Sequence, residues 1–120
     1  MFELSINNLI TVSRGDSFKC PLFLNCGTDI DPDRYYIKDG EIVIFAIEYP
    51  NQCFENAVIK KEFGYTDRNE HGDIVVSIDG EETKILLSGT YYYEIKALLL
   101  DENNKYFVNT VVEKTLFTIV

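Results

Sequence analysis

At 120 residues the chain has room for one domain and no second, and 46% hydrophobic against 26% charged residues is enough apolar content to build a core, which excludes disorder as the main state. Twenty acidic residues against eleven Lys and Arg leave a formal charge of −9, which repels nucleic-acid phosphates and anionic membrane surfaces and argues against either as a partner. The longest apolar run, Ile42 to Ile47, falls far short of the ~20 residues of a membrane-spanning helix, so no membrane insertion is expected.

Along the chain the hydrophobic period is two almost everywhere. Leu4, Ile6, Ile10 and Val12 alternate with Ser5, Asn7 and Thr11, and the break at Asn8-Leu9 reads as a bulge. After Arg14-Gly15-Asp16, a second strand alternates through Phe18, Cys20, Leu22 and Leu24. Pro21 donates no backbone hydrogen bond and places that strand at an edge or beside a bulge. The polar stretch from Asp29 ends in the turn dipeptide Asp39-Gly40 and leads into Glu41 to Tyr49, whose continuous apolar run suits a central strand. Ala57 to Phe63 and Ile74 to Ile78 are further strands, and Glu81 to Leu87, which lacks alternation, has room for one helical turn. That is too short to cross over a parallel sheet, so antiparallel sheets are expected. From Tyr91 the odd positions to Leu99 share one face. Asp101 to Asn104 then turns the chain into Tyr106 to Val112 and on to Leu116 to Val120. The expectation is an all-β, antiparallel sandwich of seven or eight strands with at most one short helical turn, residues 1–120 forming one domain.

Candidate chemistry is sparse. The single histidine, His71, falls in a polar loop, and no nucleophile-elbow or phosphate-loop motif occurs. No catalytic residue is assigned, and no cofactor is expected. Cys20, Cys26 and Cys53 are an odd set without a Cys-x-x-Cys unit, so free, mostly buried thiols are the default over a Cys20–Cys26 bridge. No basic stretch or apolar h-region follows Met1, which predicts synthesis and folding in the cytoplasm without a signal peptide. Asp29, Asp31, Asp33 and Asp39 are a weak calcium candidate. The first three have the opening spacing of a calcium loop, but Arg34 stands where the turn needs Gly and Gly40 where the bidentate Glu belongs. Arg14-Gly15-Asp16 spells an adhesive tripeptide, for which a turn at Gly15 is the simpler reading. Tyr92, Leu98, Leu100 and Tyr106 face outward if Tyr91 and Tyr93 face in. They then form a partly apolar stripe on a hairpin, covered either by a neighbouring sheet or by a partner.

Gly89-Thr90-Tyr91 has the spacing of a tyrosine corner, which makes the sandwich immunoglobulin-like. Tyr93 stands where an antibody domain carries its second disulfide cysteine. Five segments then carry a family resemblance: Asp16-Ser17-Phe18, Gly40 to Ile47, Gly72 to Ile78, Thr83 to Lys96 with its Leu-x-x-Gly-x-Tyr-x-Tyr-x-Ile block, and Leu116 to Ile119. Together they resemble the N-terminal immunoglobulin-like domain of baseplate upper proteins from tailed phages and prophages of Gram-positive bacteria. The resemblance implies a virion structural part that docks other tail or baseplate proteins, homo-oligomeric in the particle and without catalysis. That family continues into a linker and further modules, whereas this chain ends at Val120, which fits a standalone tail, neck or accessory protein or a module of something longer. A carbohydrate- or cell-surface-binding module of the same fold is the alternative, weakened by the absence of Trp.

Overall fold

The structure is a computed structural model, and it describes residues 2–4, 9–22, 24–25 and 33–120. Among these, ten strands form in chain order: β1 (Phe2–Leu4), β2 (Ile10–Val12), β3 (Phe18–Leu22), β4 (Leu24–Asn25), β5 (Arg34–Tyr35), β6 (Ile42–Glu48), β7 (Ile59–Gly64), β8 (Ile74–Ile78), β9 (Gly89–Leu100) and β10 (Tyr106–Ile119). One sheet runs β1-β2-β10-β9-β6-β7, a second pairs β3 with β8, and a small ribbon pairs β4 with β5. The fold is an all-β sandwich. Phe18 of β3 reaches across to Phe45 of β6 and Phe117 of β10, with ring centroids 6.0 and 5.9 Å away, and so ties the two layers together.

Alternation explains which side chains make the core. On β9, Tyr91, Tyr93, Ile95, Ala97 and Leu99 are buried while the residues between them are only half-buried, and β8 buries Ile74, Val76 and Ile78 in the same way. The run at Ile42 to Ile47 does become a central strand, with β9 on one side and β7 on the other. Its outer face is partly covered as well. Lys60 and Lys96 set their ammonium groups 4.4 and 4.7 Å from the Phe54 ring, in the 3-10 turn Phe54–Asn56. Phe45, Tyr93 and Phe117 then stack and edge against one another at the centre.

Three features depart from the sequence expectation. The strand number rises to ten among the described residues because β1, β4 and β5 are pieces of two or three residues; β1 pairs back on β2 where one bulged strand was expected, β4 is split from the end of the alternation that runs through Leu24, and β5 lies where no period is long enough to read. Beside Phe54–Asn56, helical turns form at Tyr65–Asp67 and at α1 (Gly80–Lys84), where the sequence suggested one turn at most. Finally, β2 pairs with the end of β10 in parallel, Ile10 beside Phe117 and Val12 beside Ile119. A turn forces antiparallel pairing only on strands it joins. β2 instead leaves through the Ser13–Asp16 turn into β3, in the other layer, and its hydrophobic pattern carries no direction.

The corner is present. The Tyr91 hydroxyl donates to the Leu87 carbonyl at 2.7 Å, four residues upstream, where β9 begins. This is the tyrosine-corner bond expected from the Gly89-Thr90-Tyr91 spacing, in a sandwich with β6, β9 and β10 in one layer and β3 and β8 in the other. Tyr93 is buried and packed on Phe45 at 5.5 Å. Burial, with the Cys20 thiol beside it on β3, pushes its hydroxyl up to about 12. Removing the corner hydroxyl in Tyr91→Phe should cost about 1–2 kcal/mol and lower the unfolding midpoint by several degrees, with an unchanged far-UV spectrum.

Candidate functional site

The stripe expected from the sequence divides into two ends. Register places Leu100 opposite Tyr106 and Leu98 opposite both Val108 and Ile42, so Leu98, Leu100, Tyr106 and Val108 share the outer face at one end of the β9–β10 hairpin. Tyr106 is 61% exposed, Val108 60% and, on the opposite face, Phe107 46%. Tyr92 lies at the other end, opposite Glu48 and Leu116, with the Glu94 and Lys96 rows between. Val108 and Phe107 escaped the sequence reading, although the unbroken alternation after the Asp101–Asn104 turn already set Val108 beside Leu98.

A buried glutamate lies at each end of this face. Glu41 is fully buried at the start of β6, and its carboxylate accepts the Tyr35 hydroxyl at 2.7 Å, the Lys38 N–H at 2.7 Å and the Leu100 N–H at 2.8 Å. The Asp39-Gly40 turn is thereby fastened to the hairpin. The Tyr106 hydroxyl donates to the Gly40 carbonyl at 2.8 Å, and Gly40 turns at φ +92° with Leu100 Cδ1 only 3.3 Å from where a Cβ would lie. At the Tyr92 end, Glu48 is also fully buried. Lys114 Nζ stands 3.6 Å from its carboxyl, donates to the Gln52 carbonyl at 2.9 Å and lies 5.3 Å from the Tyr92 ring centre. Burial first, then the neighbouring Glu94, pushes the Glu48 carboxyl up to about 7 against the pull of Lys114. A carboxyl at that value resembles a general acid, but with no exposed surface it meets no substrate.

The remaining candidates do not converge with this face. Asp33 and Asp39 are exposed, Asp29 and Asp31 lie outside the described residues, and no group of three or more metal-ligating side chains occurs among the described ones. His71 is exposed in its loop, 3.6 Å from the Glu70 carboxylate. Cys20 and Cys53 are free thiols, the first half-buried and the second exposed; Cys26 lies outside the described residues. The adhesive tripeptide serves the fold. Arg14 Nε donates to the Lys84 and Leu86 carbonyls at 3.0 and 2.9 Å, and the Gly15 N–H donates to the buried Thr83 hydroxyl, which donates in turn to the Asp16 carbonyl. A cavity of about 50 Å³ between the layers, lined by Phe18, Cys20, Phe45, Tyr93, Ile95 and Val112 among others, is apolar and has room for a water or two, not a sugar ring.

Compared with protein-family models, curated proteins and solved structures, the chain gives no match.

Proposed function

We propose that this chain is a non-enzymatic assembly module, a virion structural part of a tailed phage or prophage that docks tail or baseplate proteins through the outer face of β6, β9 and β10. One observation carries the docking part of this reading. The outer face sets exposed Tyr106 and Val108 beside half-buried Leu98 and Leu100 on a long, fastened hairpin, and rings and branched side chains reaching solvent on one rigid face are what protein interfaces use. The phage assignment rests on the segment resemblance, above all the Leu86 to Ile95 block. Synthesis in the host cytoplasm followed by incorporation into the particle is part of the same proposal.

Co-expression of the tagged chain with the products of its neighbouring genes tests the reading. Retention of a tail protein, reduced at least tenfold by Tyr92→Ser with Leu98→Ser at an unchanged circular dichroism spectrum, supports it. Retention that ignores these substitutions sinks the proposed face. Glycan-array binding by a chain that retains no tail protein would favour the carbohydrate module instead.

A further inference from the structure

We infer that the free edge of β10, from Tyr106 to Thr110, docks a second copy of this chain edge to edge in antiparallel register; the inference deepens the assembly reading and rests on it. Hydrogen-bond direction identifies the edge. The Asp101 N–H donates to the Lys105 carbonyl at 2.9 Å, so the alternate pairs Leu99/Phe107 and Ala97/Asn109 bond across the hairpin. Between the Asp101/Lys105 and Leu99/Phe107 pairs, the Leu100 N–H turns the other way, onto Glu41. Its opposite residue Tyr106, and by alternation Val108 and Thr110, therefore aim their N–H and C=O groups off the sheet.

No described strand meets them. β2 reaches β10 only at Phe117–Ile119, all five residues from Tyr106 to Thr110 are exposed, and register shifts after Thr110 end the regular stretch. Two other edges are protected: β7 carries Lys60, Lys61 and Glu62, and β3 carries Lys19 and Pro21, whereas residues 106–112 hold no charge at all.

The occupant follows from symmetry and charge. With Val108 opposite its twin, Tyr106 of each copy faces Thr110 of the other, and each of the three outward N–H groups per copy meets an outward C=O. Tyr106 and Val108 then extend the outer apolar face across the twofold axis. Antiparallel alignment carries Lys105 of each copy toward the Glu113 end of the other, while parallel alignment would set Lys105 on Lys105. A second copy therefore suits this edge.

Size-exclusion chromatography of the full chain with light scattering provides the test, and a dimer mass is expected. Val108→Pro removes an outward N–H without breaking a hairpin bond, and Val108→Lys places like charges on the axis; each should weaken dimerisation at least tenfold with a native spectrum. Tyr92→Ser with Leu98→Ser leaves the edge intact and should keep the dimer. A monomeric wild type, or Val108 variants as dimeric as wild type, would overturn the edge. Dissociation by the Tyr92 and Leu98 substitutions alone would also overturn it, while leaving the docking face in force.

Discussion

Glu41→Ala should be the most damaging single substitution on the docking side of the molecule, lowering stability by about 3–5 kcal/mol and the unfolding midpoint by roughly 10 °C or more. The cause is the set of groups left behind. The Tyr35 hydroxyl and the Lys38 and Leu100 N–H groups all converge on this carboxylate, which is shielded from water, so truncation strips three donors of their acceptor at once. Each part-buried donor without an acceptor costs about 1–3 kcal/mol. Glu41→Gln keeps the volume and one acceptor oxygen but turns an amide toward a donor, and should cost about half as much. Thermal unfolding by circular dichroism measures both. Loss of the pin also frees the Asp39-Gly40 turn from the end of β9, so hydrogen exchange at Leu100 and Gly40 should accelerate more than at Phe45. A midpoint within about two degrees of wild type would show that the pin contributes little.

Such a pin was not legible in the sequence, and the reason is physical. Period two assigns Glu41 to the polar lead-in of a strand, because a carboxylate scores as solvent-facing whatever accepts its bonds. Its partners lie three, six and fifty-nine residues away, distances that only the folded register brings together. By contrast, the faces of β8 and β9 and the Tyr91 corner could be read directly, since alternation and a Gly-x-Tyr spacing are local signals. Pro21 is consistent with its place too: its strand lies in a layer that is two-stranded among the described residues. The stripe was half visible. Alternation identified Leu98, Leu100 and Tyr106 as neighbours, but the separation of Tyr92 by the Glu94 and Lys96 rows needed the pairing between strands. The parallel pairing of β2 with β10 lay beyond reach for the same reason, as no turn links them.

Between pH 5.5 and pH 8 the wild-type protein should lose stability as pH rises, and Glu48→Gln should remove most of that loss. Burial and Glu94 raise the folded carboxyl from an ordinary value near 4.5 to about 7, so between those two values the folded state holds a proton that the unfolded chain releases. Stability then falls with increasing pH, starting near the unfolded value and levelling off once the folded value is passed. The upper bound on the effect is about 3 kcal/mol, from the size of that shift. Glu82 sets the acid side. Burial alone would raise its carboxyl, but the Lys61 ammonium at 2.7 Å and the Asp79 N–H hold it below the ordinary range, so its contribution is lost only as pH falls through that lowered value. Maximum stability should therefore lie on the acidic side of neutrality. General repulsion from the charge of −9 has the same sign, which is why the variant matters: it changes that charge by one unit, whereas it deletes the buried titration completely. The amide that Glu48→Gln introduces would offer its carbonyl to Lys114 and its NH2 group to Glu94, leaving the Lys114 bond to Gln52 in place. Midpoints at pH 5.5, 7 and 8 decide the matter: the variant should be the more stable protein at pH 8, and parallel pH slopes for the two would remove Glu48 as the cause.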